Sequence, residues 1–158
     1  QFKDAYGVPH LRARYNHWQN KGAWQTEADF SDGTLRLIGL LWALLDGNGP
    51  LLLEEPELSL HAEVARHIPE MMASIQKGQR KQARQILVST HSSDLLSDPG
   101  IAADEVLLLR PTSYGTKVEV GKDVAEIQEL LDAGLPIAEA IMPHTRPPKA
   151  EQLSFFGE

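Results

Sequence analysis

Three consecutive leucines, Leu51-Leu52-Leu53, run straight into Glu54-Glu55-Pro56-Glu57, and no other feature of the 158-residue chain restricts its fold so tightly. A short unbroken apolar run fits a strand buried on both faces, the kind found in parallel sheets. An acidic string at its carboxyl end is tolerable only where it emerges from the core, and ligands of open α/β sheets bind in the crevice outside the carboxyl ends of the strands. Successive residues of an extended chain point to opposite sides, which predicts separate tasks for Glu54 and Glu55, one toward a metal ion and one toward a reacting group. Taken by itself, the string is equally well explained as an exposed acidic loop.

The flanking segments extend the pattern. Gln85 to Ser89 reads as a second apolar strand leading to His91, and Glu105 to Leu109 as a third. Between the first two, Val64, Ile68, Met71, Met72 and Ile75 recur at helical spacing, with Pro69 as a kink and Gly78 as a stop; Ser92 to Leu96 starts another short helix. Strands alternating with helices imply right-handed crossovers, hence an α/β fold with a mostly parallel sheet and flanking helices. Upstream, Leu11, Ala13, Tyr15 and His17 alternate with polar residues and Asn20-Lys21-Gly22 supplies a turn, predicting a β-hairpin within residues 1–30. Leu35 to Leu45 is apolar almost all round between Ser31, a plausible N-cap, and Asp46-Gly47-Asn48-Gly49-Pro50, which predicts a buried helix. Beyond Arg110, Thr116 to Val120 suggests a hairpin strand. Asp123 and Glu126 then suggest a capped helix ended by Gly134, and the prolines from Pro143 onward an extended linker. The expected organisation is a hairpin segment 1–30, a main lobe 31–110, a hairpin-and-helix extension 111–142 and a flexible tail 143–158.

Composition removes several functional classes. Without cysteine there is no disulfide scaffold, thiol catalysis or Cys-ligated zinc, and a reducing, cytoplasmic setting is the default expectation. The longest apolar stretch, Leu37 to Leu45, falls far short of the roughly 20 residues of a bilayer span, so no membrane partner is expected. The net charge of -7 is uneven: Lys3, Arg12, Arg14 and Lys21 stand against Asp4 alone in residues 1–24, and Lys77, Arg80, Lys81 and Arg84 have no acid among them. Such local clusters could serve a nucleic acid or simply be solvated faces. His61-Ala62-Glu63 has the H-x-E of zinc deaminases but lacks their cysteines, and neither H-E-x-x-H nor G-x-S-x-G occurs.

One further segment bears on function. In Phe30-Ser31-Asp32-Gly33-Thr34-Leu35-Arg36, a hydroxyl, free backbone N–H groups and a glycine meet at the positive end of a helix, an arrangement suited to phosphate and also to an ordinary N-cap. In chain order, this segment, then Leu51 to His61, then Val88-Ser89-Thr90-His91-Ser92 resemble the signature motif, the Walker B motif with D-loop, and the switch histidine of ABC-type ATPases, in the SMC/RecF-like branch. The resemblance covers about residues 25–110. It implies a head that dimerises around ATP and Mg²⁺, in DNA repair, chromosome maintenance or phage defence. Ser31 and Gly33 would touch the γ-phosphate held by the opposite subunit, Glu54 would hold Mg²⁺, and Glu55 would activate water. His91 would sense the γ-phosphate, and Ser59 to His61 would form the D-loop.

Two departures qualify this. Glu54 stands where the family usually has Asp. No P-loop is present: Gly115 to Gly121-Lys122-Asp123 has the wrong spacing and lacks the Ser or Thr. The resemblance therefore implies the C-terminal half of a head, partnered by a copy of itself or by a P-loop-bearing half of the same head, with DNA as a further partner. The alternative is a non-hydrolysing module that recruits a nuclease or clamp. Transporter ATPases are disfavoured by Ser31-Asp32-Gly33-Thr34. Near the end, Gln152, Leu153, Phe155 and Phe156 resemble a sliding-clamp-binding string, and packing back onto the sheet explains them as well.

Overall fold

A computed structural model of the chain describes residues 2–14, 22–78 and 84–145. The expectations for Tyr15, His17 and the Asn20-Lys21 turn, for Arg80 and Lys81, and for the string Gln152 to Phe156 lie outside the described residues. The chain divides into two compact units, residues 1–47 with 58–60, and residues 48–57 with 61–158.

In the first unit, β1 (Phe2–Lys3) pairs antiparallel with β2 (Pro9–His10). Their turn is closed by Asp4, whose Oδ1 accepts from the N–H groups of Tyr6 at 2.9 Å and Val8 at 2.8 Å. The anticipated hairpin is β3 (Arg12–Arg14) against β4 (Trp24–Thr26), also antiparallel, with Arg14 opposite Trp24. A 3₁₀ turn, Glu27–Asp29, leads to α1 (Asp32–Leu45). Ser31 is its N-cap, as anticipated, accepting from the Thr34 N–H at 3.2 Å. The helix is not buried all round: Leu40 and Leu44 are buried, whereas Trp42 is 70% and Leu45 62% exposed. An apolar circumference shows what could be covered; this chain covers one stripe of it.

In the second unit, β5 (Leu51–Glu54) and β6 (Ile86–Ser89) are parallel and in register from Leu51↔Ile86 to Glu54↔Ser89. The crossover carries α2 (Ala62–Ala65) and α3 (Ile68–Gly78). The Pro69 kink takes the form of a break, with Pro69 in the first turn of α3, where its missing N–H costs nothing. Then come α4 (Ser93–Leu96), β7 (Leu107–Thr112), β8 (Gly115–Val120), α5 (Ala125–Asp132) and α6 (Ile137–Ile141).

The class is mixed α/β, and among the described residues one ladder is parallel and three are antiparallel. The expected third strand exists, but its hydrogen-bonded partner is β8. Thr112 Oγ1 donates to the Gly115 carbonyl at 2.7 Å and accepts from the Tyr114 N–H at 3.2 Å, and Gly115 adopts φ 128, so a tight local turn sets the pairing.

The core gathers in the C-terminal part of this unit, where Leu96, Leu108, Val124, Ile127, Ile137, Ala138, Ala140 and Ile141 form one buried cluster. Asp123 lies in a 3₁₀ turn, not at the N-cap of α5; Val124 takes that place and makes no side-chain cap bond. The other end follows expectation: Gly134 at φ 87 donates to the Leu131 carbonyl at 2.9 Å and Leu135 to that of Leu130 at 3.0 Å, the paired bonds of a Schellman stop. Pro143 is not yet linker. It belongs to a 3₁₀ turn, Met142–Thr145, tied to β7 by a 3.0 Å bond from Arg110 Nη2 to His144 Nδ1.

The strands β5 and β6 are covered on one side only. Leu51, Leu53, Ile86 and Val88 are half-buried, while the registered pair Leu52 and Leu87 is 76% and 39% exposed. Among the described residues no helix is long and apolar enough to cross a membrane.

Candidate functional site

In the second unit, the parallel register brings the carboxyl ends of β5 and β6 side by side, Glu54 opposite Ser89. Glu54, on the exposed side of the ladder, is free of hydrogen-bond and ion-pair partners for its carboxylate among the described residues. Glu55 is no longer strand. Its N–H donates to the Ser89 carbonyl at 2.9 Å, and its φ of 43 turns the chain away in the left-handed region, rare for a side-chain-bearing residue. Strand alternation therefore stops at Glu54, and the backbone turn sets the course of Glu55. Glu55 Oε1 lies 3.9 Å from His91 Nε2, with the imidazole 80% and the glutamate 39% exposed. That separation exceeds a hydrogen bond, and a small rotation of the exposed ring closes it.

Two neighbours give this corner its shape. Thr90 Oγ1 donates to Glu57 Oε1 and accepts from the Ser92 N–H at 2.9 Å. Ser92 in turn caps α4 through its Oγ, 3.4 Å from the Leu95 N–H. Sequence reasoning quoted Glu57 and Thr90 within their motifs but gave neither a task. The signal was a third glutamate, Glu57, after Pro56 in a turn, where solvent exposure would have been the default. His61 is the N-cap of α2, its Nδ1 accepting from the Glu63 N–H at 3.2 Å.

The first unit brings together Ser31, Gly33 and Ser59. Ser31 Oγ is already engaged, by the Thr34 N–H and by Thr34 Oγ1 at 2.9 Å. Gly33 lies so close to the loop at Ser59 that an added Cβ would sit 2.8 Å from the Ser59 carbonyl oxygen. Ser59 itself is left-handed, at φ 68. The glycine is therefore demanded by a close backbone approach inside its own unit, whatever else it contacts.

In the second unit, a parallel strand pair with an acidic end and an imidazole 3.9 Å from Glu55 defines an α/β body with candidate site residues at its strand ends. A model of the family described as "AAA domain, putative AbiEii toxin, Type IV TA system" matches residues 5–98, more than half of the chain, and the chain belongs to that family. It is thus an AAA-type, nucleotide-binding, ATPase-like domain. Neither the comparison with curated proteins nor that with solved structures gave a match.

The family's usual ligands are ATP and Mg²⁺. Among the described residues no three His, Asp or Glu side chains converge as a metal cage. A single free carboxylate such as Glu54 nevertheless fits Mg²⁺, which is commonly held by one or two carboxylates together with phosphate oxygens and water.

Proposed function

We propose that this chain is the signature-and-Walker-B half of an ABC-type ATPase head, which hydrolyses ATP when joined by a P-loop-bearing half and dimerised. The observation that supports the reading is the approach of Glu55 and His91 to 3.9 Å at the carboxyl ends of a registered parallel strand pair whose last residue on β5 is Glu54. In this reading Glu54 holds Mg²⁺, Glu55 orients the attacking water and accepts its proton, and His91 answers to the terminal phosphate. Ser31 and Gly33 face the nucleotide of the opposite subunit, and Ser59 to His61 line the dimer contact. When bound, Mg²⁺ neutralises developing charge on the phosphate oxygens, leaving the chain's residues mainly positioning to do.

The missing half also accounts for what is uncovered. The mostly parallel sheet of such a head is completed when further strands and helices join β5 and β6, whose Leu52–Leu87 face is exposed in the single chain. The family's association with AbiEii-type, type IV toxin–antitoxin systems supports phage defence over transport in this reading, with DNA repair or chromosome maintenance as neighbouring roles. DNA is a proposed ligand of the basic N-terminal segment, and the sliding clamp a proposed partner of Gln152, Leu153, Phe155 and Phe156.

The test is co-expression with the P-loop-bearing half. Mg²⁺-dependent ATP hydrolysis is expected, and Glu55→Gln should lower it by about 10²–10⁴-fold, the range for loss of a general base, while ATP-induced dimers persist. Absence of turnover in the wild-type pair, with dimers still formed, would instead support the non-hydrolysing module, which the lack of G-x-x-x-x-G-K-[ST] in this sequence favours.

A further inference from the structure

We propose that Glu57 is a positioning residue of this site, holding the His91 loop against the end of β5 through the hydroxyl of Thr90. The inference rests on the reading of Glu55 and His91 as the reacting corner.

The argument begins with what fixes His91. Its side chain is exposed and Glu55, its polar neighbour among the described residues, is 3.9 Å away, so the imidazole does not hold itself in place. An exposed ion pair of that length contributes little. The residues on either side do the holding. Thr90 Oγ1 uses both its functions, donating to Glu57 and accepting from the Ser92 N–H at 2.9 Å. Ser92 is anchored in turn as the N-cap of α4. His91 is thus spanned by a clamp whose far end is Glu57, a residue of the other strand's turn.

That turn needs an anchor too. It starts from Glu55 at φ 43, a conformation that persists only where surroundings over-determine it. The bond from Glu57 to Thr90 ties the turn carrying Glu55 to the loop carrying His91. Glu57 Oε2 is buried with no hydrogen-bond partner among the described residues, so the bond from Thr90 to Oε1 is the polar anchor of this side chain there.

The experiment measures hydrogen exchange at the Ser92 amide in the full chain, with the Ile127 amide in the core as reference. Thr90→Val, nearly isosteric, and Glu57→Ala should each lower Ser92 protection by about tenfold, the loss of one hydrogen bond, and the double variant should be no worse than either. Thr90→Ser and Glu57→Gln keep a hydroxyl and an acceptor and should restore protection, and Ile127 should not change in any variant. Ser92 protection that survives both Thr90→Val and Glu57→Ala overturns the proposal, as does a parallel loss at Ile127, which marks general loosening. If Glu57→Ala does not fold, Glu57→Met, which keeps the bulk and removes the carboxylate, takes its place, because Thr90→Val deletes the Ser92 acceptor directly and does not test Glu57. In the complete, ATP-hydrolysing head the same variants should lower kcat with KM for ATP unchanged, and Glu57→Gln should recover it; a rise in KM alone overturns the positioning role. A head without turnover sinks the ATPase reading and leaves the exchange result to judge the tether.

Discussion

Gly33→Ala offers the sharpest test of the packing at the start of α1. In a helix, replacing glycine with alanine ordinarily stabilises by about 0.5–1 kcal/mol, because the unfolded chain has less freedom to lose. Gly39, in the same helix, is exposed and an added Cβ would meet nothing within 4 Å, so Gly39→Ala should show that gain undiminished. At Gly33 the Cβ would stand 2.8 Å from the Ser59 carbonyl oxygen, where ordinary contact begins at 3.4 Å. The obstacle is backbone, and Ser59 at φ 68 has little room to retreat. Overpacking of this kind costs about 1–3 kcal/mol, which against that gain leaves a net loss of up to about 2.5 kcal/mol, with roughly 1 kcal/mol at the middle of the range. At roughly 2–4 °C per kcal/mol for a chain of this size, thermal unfolding followed by circular dichroism should move the two midpoints in opposite directions. If Gly33→Ala rises in step with Gly39→Ala, the close approach of Ser59 is not real and the glycine has another cause.

Two further outcomes follow from the packing and the charges. Ile127 is fully buried, so Ile127→Ala should cost about 2–5 kcal/mol in denaturant unfolding, whereas Leu109→Ala, at a site 66% exposed, should cost no more than about 0.5 kcal/mol. In the first unit His10 hydrogen-bonds Glu27 and lies 3.5 Å from Asp4, stacked on Phe2, over whose ring Arg12 also lies. The bond to Glu27 raises the His10 pKa, the same bond lowers that of Glu27, and the Val8 N–H lowers that of Asp4. The raised histidine contributes fully below its ordinary value of 6.5 and loses its contribution as pH climbs through the higher folded value; the lowered glutamate contributes above 4.5 and fails on acidification. The unfolding midpoint should therefore fall as pH rises above 6.5, and that fall should shrink in His10→Gln. An equal fall in the variant refutes the pairing.

The local elements were largely legible in the sequence, because their causes are local. Alternation around Leu11 to Arg14 gave the hairpin, Ser31 the start of α1, Gly134 the end of α5, and Leu51 to Leu53 with Ile86 to Ser89 the parallel pair. Pairing choice was not legible. A strand at Leu107 reads the same whether its partner is a distant parallel strand or β8, and the Thr112–Gly115 turn decides. Burial was misjudged for the same reason: Leu52 and Trp42 are apolar, but nothing in one chain obliges another element to cover them. Helix α6 escaped notice because five residues are too few for a period to show, although four of them are buried. At the site, residue types marked Glu54, Glu55 and His91, and the structure sets Glu55 beside His91; the Glu57–Thr90 bond joins residues 33 apart and could not be read from spacing.

Glu54 shares its side of the β5–β6 ladder with Leu52, two residues earlier, and that side is open to solvent. Whatever surface comes to cover the leucines will therefore also strip hydration from the carboxylate, and a dehydrated anion grips a divalent cation far more strongly than a wet one. Covering that face would therefore carry an electrostatic cost at its carboxyl end unless a donor or cation met the charge there.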